Sequence, residues 1–373
     1  MVMYEEGKLR IRKLMKRAEN GDEINLGFFG GSITQGSLAS DPSLCYAFRV
    51  FDWWRRTFPK AVFHFINAGI GGTSSHFGAA RIREDLLCYR PDFVIVDFSV
   101  NDEPNDFFME TYEGVVRQIF LNDNEPGVLL LHNVYYDSGK TAEEQHIRIG
   151  DHYGIPHVSI RDTVYRRMRE GMYTLEELTP DGLHPNDFGH GLLAEEIIRE
   201  LTKIREESSL RTDAALRECG CERSGTAEYQ PMTLNRFEHA NRLTIRNSSP
   251  ALAGFRADPE EKLGHLDFFK NGWIGQKSGD SIRFILPSLT SLAIQYRKTV
   301  RHPAPKAICI LDGDREHALL MEADFEEDWG DCLFLQTIPV REKKSAHTVE
   351  IEITEASEED AETFYLLSVI YTE

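Results

Sequence analysis

The strongest constraint on this chain is an alternation that runs from Ile24 to about residue 205. Short, nearly continuous apolar runs occur at Ile24–Phe29, Val62–Asn67, Phe93–Ser99 and Val128–Asn133, with a weaker fifth at Pro156–Ile160. Between them lie Cys45–Thr57, Ser74–Cys88 and Tyr112–Leu121, each with apolar residues at helical spacing, and Phe188–Arg205 closes the region as an amphipathic helix. A strand that is apolar at successive positions is buried on both faces, which is the situation of a parallel sheet covered by helices. The pattern predicts an α/β fold, a doubly wound parallel sheet with helices on either side.

At 373 residues the chain is too long for one ordinary domain. Its character changes after the closing helix. Glu206–Tyr229 is rich in Ser, Arg, Glu and Gly and reads as a linker with some helical content. From about Leu243 onward, strand-like runs recur without helical periodicity, at Ser281–Leu286, Ser291–Tyr296, Ala307–Leu311, Thr348–Ile353 and Phe364–Tyr371. Turn signals such as Asp312-Gly313-Asp314 separate them, as in an all-β sandwich. The expected organisation is an α/β domain at 1–207, then a linker and an all-β accessory domain at 208–373.

Charge narrows the possible partners. The formal net charge of −19 divides into −10 over residues 1–200 and −9 over the rest, so it is not gathered in a tail. An evenly acidic surface repels phosphate backbones and anionic lipid, which argues against nucleic acid and membrane partners. The first twenty residues are basic and amphipathic but lack the apolar core of a secretion signal, and read as a surface helix. Six cysteines (Cys45, Cys88, Cys219, Cys221, Cys309 and Cys332) are too sparse for a disulfide scaffold, and Cys219-Gly220-Cys221 has no second half to make a zinc site. A reduced, cytoplasmic setting is expected.

Four short motifs sit at or soon after the ends of the predicted strands or before the closing helix. They are Gly30-Gly31-Ser32-Ile33-Thr34, Asn67-Ala68-Gly69-Ile70-Gly71-Gly72-Thr73-Ser74, Ser99-Val100-Asn101-Asp102 and Thr179-Pro180-Asp181-Gly182-Leu183-His184-Pro185. In an open α/β sheet the carboxyl ends of the strands face one crevice, so residues far apart in sequence converge there. A Ser hydroxyl becomes a strong nucleophile when a base takes its proton. His184 is suited to be that base for Ser32, with Asp181 holding the imidazole tautomer and stabilising its cation. The N–H groups of Ser32 and Gly72, with the side-chain amide of Asn101, are suited to bind an oxyanion.

Each motif also has a plainer reading. Ser32 alone is a helix N-cap, Asn101 caps a turn, and Asp102 is a hydrogen-bonding turn residue. Gly69–Ser74 resembles a dinucleotide turn but lacks its third glycine, and no Walker lysine follows Gly36. His190 invites a metal reading with Asp181, yet a packing role suits it better, and no His-Glu-x-x-His occurs. His146, His152 and His157 read as structural or solvent-facing. Of Trp53 and Trp54, at least one belongs to the core by its spacing with Phe48 and Phe51. Tyr135 and Tyr136 follow a strand end and are the candidates for substrate contact.

The four motifs in this order resemble the SGNH, or GDSL-like, hydrolase family over about residues 22–200. The resemblance implies a flavodoxin-like three-layer sandwich, Ser32 as nucleophile, Gly72 and Asn101 completing the oxyanion hole with Ser32, and Asp181 and His184 finishing the triad. It implies no cofactor and no metal. The family often has Gly-Asp-Ser where this chain has Gly30-Gly31-Ser32, and often Gly where this chain has Ser99. The Gly-Gly-Ser-Ile-Thr form and the appended β domain look similar to members acting on acetylated carbohydrates. The expected function is therefore a serine esterase acting on short-chain, O-acetyl esters of sugars or oligosaccharides through an acyl-serine intermediate. The β domain is expected to bind carbohydrate, shield the cleft or join copies into a homo-oligomer. The alternatives are a lysophospholipase- or thioesterase-type lipid acyl hydrolase, or a non-catalytic binder of nucleotides or sugar phosphates.

Overall fold

The computed structural model describes residues 2–210, 229–264, 266–327, 329–342, 344–356 and 362–373. The Cys219-Gly220-Cys221 segment and most of the expected linker lie outside them. The fold divides into Met1–Glu238 and His239–Glu373.

The first unit runs α1 (Val2–Asn20), β1 (Glu23–Gly30), α2 (Ser32–Gln35), α3 (Tyr46–Thr57), β2 (Val62–Gly69), α4 (Ser75–Asp85), β3 (Phe93–Asp97) and α5 (Asp106–Phe120). It continues through β4 (Gly127–His132), α6 (Glu143–Tyr153), β5 (His157–Ser159), the short helices α7 (Arg166–Arg169) and α8 (Leu175–Leu178), and α9 (Asp187–Leu210). The strands lie in the order β2-β1-β3-β4-β5, all parallel. The chain winds one way from β1 to β2 and the other way from β3 onward, so the switch point lies between β1 and β3. Register aligns Gly30 with Gly69 on one side and Asp97 on the other, so three strands end level around the loop that carries Ser32.

Strand burial matches the sequence pattern: every residue of β3 and of β4 is buried. On one face Ile24, Leu26, Phe28, Phe93, Ile95, Leu129 and Leu131 share a core with Ile11 and Leu14 of α1, Val50 and Trp54 of α3, and Leu193, Ile197 and Leu201 of α9. The amino-terminal helix is thus amphipathic as expected, and its apolar face is part of the core. On the other face α4 meets α5, where Gly78 leaves room for Phe98 and Val115, and Gly150 of α6 leaves room for Leu130. α5 begins at Asp106, earlier than its apolar spacing suggests, because Asn105 caps it by accepting the Phe108 N–H (3.0 Å). No helix among the described residues is long and apolar enough to cross a membrane.

The boundary between units falls later than the expected 207/208, because residues 229–238 strap across α5. Phe237 is fully buried between His76 and Phe107, directly over Gly114. Arg236 forms a forked pair with Glu110 (Nε–Oε1 2.9 Å and Nη2–Oε2 2.6 Å), and Arg117 pairs with Glu238 (2.6 Å). Glu113, fully buried, accepts the N–H groups of Met232 (2.7 Å) and Thr233 (2.8 Å).

The second unit contains β6 (Asn241–Leu243), β7 (Ala251–Ala253), β8 (Arg256–Ala257), β9 (Trp273–Gly275), β10 (Ser281–Pro287), β11 (Ser291–Lys298), β12 (Lys306–Leu311), β13 (Leu319–Glu322), β14 (Cys332–Thr337), β15 (Ala346–Glu355) and β16 (Phe364–Thr372). They form two antiparallel sheets, β13-β12-β15-β10-β7 and β14-β11-β16-β9-β8, with β6 added beside β16. Alternate residues of β10, such as Ile282, Phe284 and Leu286, are buried against Leu292, Ile294, Leu366 and Val369 in one core. This is the β sandwich that alternation predicts.

Candidate active site

Ser32 is the first residue of the single-turn helix that follows β1. Its approach is crowded. A Cβ on Gly30 would lie 2.4 Å from the Asp97 carbonyl and from Thr34 Oγ1, and one on Gly31 would lie 2.2 Å from Asn101 Oδ1. The Asn101 amide therefore occupies the space that a side chain at position 31 would need. The Gly31 N–H donates to the Asp97 carbonyl (3.3 Å), tying this loop to the end of β3.

Ser32 is 7% exposed, and its Oγ lies 2.8 Å from His184 Nε2. The other imidazole nitrogen, Nδ1, donates to Asp181 Oδ2 (2.6 Å). Asp181 divides its two oxygens between tasks. Oδ1 accepts the N–H groups of Leu183 (2.9 Å) and His184 (2.8 Å) and the Thr179 hydroxyl (3.0 Å), closing a tight turn, while Oδ2 faces the ring. Burial alone would push this carboxyl up, but the bonds from His184 and the two N–H groups outweigh it and hold the group at about 2. Gly182, at φ +80°, lets the turn pass beside Asp137, and its carbonyl accepts the N–H of Tyr136 (2.7 Å).

The β2–α4 loop reaches the same point. Gly72 adopts φ +67°, and a Cβ on Gly71 would lie 3.6 Å from Ser32 Cβ. Asn101 comes from the turn after β3, whose Asn101 N–H donates to Phe98 O (3.0 Å), while Asn105 is the residue that caps α5. Asp102 accepts the Ser75 N–H (2.8 Å) and pairs with buried His146 (3.0 Å), a structural role. Sheet ends and loops thus bring Ser32, the Gly71-Gly72 backbone, Asn101, Asp181 and His184 together from residues scattered along the chain.

The remaining candidates separate. Tyr136, expected to face substrate, has its side chain in the core instead: it is 1% exposed, with its hydroxyl buried and its pKa pushed up by burial and by nearby Asp97. The chain turns after β4 so that its side chain enters the core and only its backbone serves the His184 turn. Tyr135 is half-buried against the same core. His190 is a packing residue. Its Nδ1 accepts the Tyr46 N–H (3.3 Å), its Nε2 donates to Ser37 O (3.2 Å), and burial lowers its pKa to about 4, keeping the ring neutral. Trp54 is fully buried and Trp53 packs beside it.

Several residues around the site have no place in the sequence reading. Gln35 Oε1 accepts the Gly71 N–H (2.6 Å), and Thr73 Oγ1 donates to the Ile70 carbonyl (2.6 Å). Asn67 donates to the Thr34 carbonyl (2.9 Å). Buried Arg81 donates to the carbonyls of Ala68 (2.8 Å) and Gly30 (3.0 Å), bracing the ends of β2 and β1. Thr73 lies inside the second motif and Gln35 directly follows the first, each next to a glycine, so polarity beside glycine is the signal that could have found them.

Residues 28–192 match the model of the GDSL-like lipase/acylhydrolase family. Crystal structures of a two-domain esterase (CEX) active on acetylated mannans, with and without mannopentaose, align over 98% of this chain and 95% of theirs at 46% identity, with TM-scores of 0.89 and 0.90. An acetylxylan esterase of Geobacillus stearothermophilus is 24% identical over 166 residues, which cover 39% of this chain and 74% of that protein. With nearly the whole chain aligned to a two-domain esterase at that identity, and the α/β unit matching the family model, the chain belongs to the GDSL-like lipase/acylhydrolase family.

Proposed function

We propose that this protein is a serine esterase that removes acetyl groups from mannan-type oligosaccharides, with Ser32 as nucleophile. The continuous hydrogen-bonded path from Ser32 Oγ through His184 to Asp181 carries the reading. With a proton on Nδ1, held there by Asp181, the His184 Nε2 lone pair receives the Ser32 proton as the hydroxyl oxygen attacks the ester carbonyl. The resulting oxyanion is bound by the N–H groups of Ser32 and Gly72 and by the Asn101 amide. His184 then gives that proton to the departing sugar oxygen, which leaves as the free hydroxyl, and the same ring activates the water that releases acetate from Ser32. The sugar class rests on similarity: the 46%-identical two-domain esterase is active on acetylated mannans.

A fluorophosphonate probe should label the wild-type chain and spare Ser32→Ala. Unlabelled wild type, or equal labelling of the variant, sinks the hydrolase reading. Acetate release should be faster from acetylated manno-oligosaccharides than from acetylated xylo-oligosaccharides, and p-nitrophenyl acetate should outrun longer-chain esters. A preference for long chains would make it a lipid acyl hydrolase instead. We further place the enzyme in a reducing compartment, where the free thiols Cys45, Cys88, Cys309 and Cys332 persist. Activity found only in the extracellular fraction of source cells would overturn that placement.

A further inference from the structure

We infer that Gln35 and Thr73 are positioning residues that clamp one peptide plane and thereby set the direction of the Gly72 N–H. The plane joins Ile70 to Gly71. Its N–H side is held by Gln35 Oε1 (2.6 Å) and its carbonyl side by the buried Thr73 hydroxyl (2.6 Å). The next plane carries the Gly72 N–H. Only the two backbone torsions of Gly71 separate the clamped plane from that donor, and glycine torsions are the least restrained in a chain. A loop of two glycines would otherwise turn its peptides freely, and a donor turned away from the oxyanion contributes nothing to it.

The clamp also sets a distance, because Gln35 belongs to the same helical turn as Ser32. That turn ends at Gly36 (φ +102°) and is braced against β2 by Asn67, whose amide donates to Thr34 O (2.9 Å). The backbones abut so closely that a Cβ on Gly69 would lie 2.2 Å from the Gln35 nitrogen. Moving the Gly71-Gly72 loop relative to Ser32 therefore requires breaking the Gln35 contact. The nucleophile's helix and the oxyanion loop form one piece, assembled before substrate arrives.

This inference rests on the catalytic reading of Ser32 and Gly72, and the test separates the two. Gln35→Met and Thr73→Val keep side-chain bulk while removing the acceptor and the hydroxyl. Loss of a whole oxyanion donor typically lowers kcat by about 10²–10³. A donor misdirected part of the time should cost about tenfold or more, with KM changed less than about twofold. Thr73→Ser, which retains the hydroxyl, should restore the turnover lost in Thr73→Val. Because both residues act on one plane, the double variant should lose less than the product of the single losses. Wild-type kcat in Gln35→Met and Thr73→Val, a defect confined to KM, or no recovery in Thr73→Ser would overturn the clamp. If Ser32→Ala is inactive in the same assay, such a result removes the clamp alone; if Ser32→Ala turns over normally, the catalytic reading falls with it.

Discussion

Replacing Asp97 by Asn tests how far the end of β3 is shielded from water. Asp97 is 2% exposed and accepts the Asn133 amide (2.8 Å) and the Thr34 hydroxyl (3.4 Å) on Oδ2. Burial, helped by the nearby Asp102 charge, raises its pKa from 3.8 to about 7, and the bonds from Asn133, Thr34 and the Ser99 backbone offset only part of that rise. The folded chain therefore holds this proton more tightly than the unfolded chain does. Stability from this group is highest in acid, declines as pH rises from about 4 to about 7, and is lost above that. At ~1.4 kcal/mol per unit, the full swing is roughly 4 kcal/mol, of which about 3 kcal/mol falls between pH 5 and pH 8. Asn cannot ionise, so Asp97→Asn should gain about 3 kcal/mol relative to wild type over that interval. Urea unfolding of both full-length proteins at pH 5 and pH 8 measures the difference, and other titrating groups cancel in it. Parallel stability profiles for the two proteins would refute the claim that this carboxyl is desolvated.

Asp181→Asn should fold normally and lose turnover by at least about a hundredfold, because the amide no longer enforces a proton on His184 Nδ1; turnover near wild type would remove Asp181 from the mechanism. Asn101→Ala should lower kcat by about 10²-fold with little change in KM, as expected for a contact that strengthens in the transition state; a defect mainly in KM would place Asn101 in ground-state binding. Phe237→Ala should destabilise the first unit by about 3–5 kcal/mol, since it empties a fully buried aromatic site over α5, while kcat of the folded enzyme stays unchanged. Unchanged stability on urea unfolding would show that the strap is not part of that unit's core.

What could be read from the sequence divides along physical lines. β3 and β4 were legible because burial on both faces leaves no polar position inside the strand, and that pattern has few competing explanations. The strap at 229–238 was hidden for the opposite reason. Its buried anchor Phe237 belongs to no apolar period, and the α5 residues it covers, Glu110, Glu113 and Arg117, look like a solvent face until Arg236, Thr233 and Glu238 meet them. Tyr136 shows a second limit. A strand end predicts where the backbone arrives, yet its N–H bonds Gly182 while its ring enters the core, and the sequence carries no sign of that division.

The site obeys the same logic. Ser32, Asn101, Asp181 and His184 stand out because the chemistry proposed for them constrains their types. Glycines stand out because their neighbours press on them, as Asn101 Oδ1 does on Gly31 and the Gln35 backbone does on Gly69. A glycine, however, reports only that something is close, not what holds it in place. A Cβ-free loop that must present one N–H at a fixed angle needs polar partners on the adjoining planes, and such partners come from the loop itself and from the helical turn packed against it. Gln35 and Thr73 meet that requirement, one from the nucleophile's helix and one from the loop itself. The glycines permit the close approach, and these two polar side chains give it a direction.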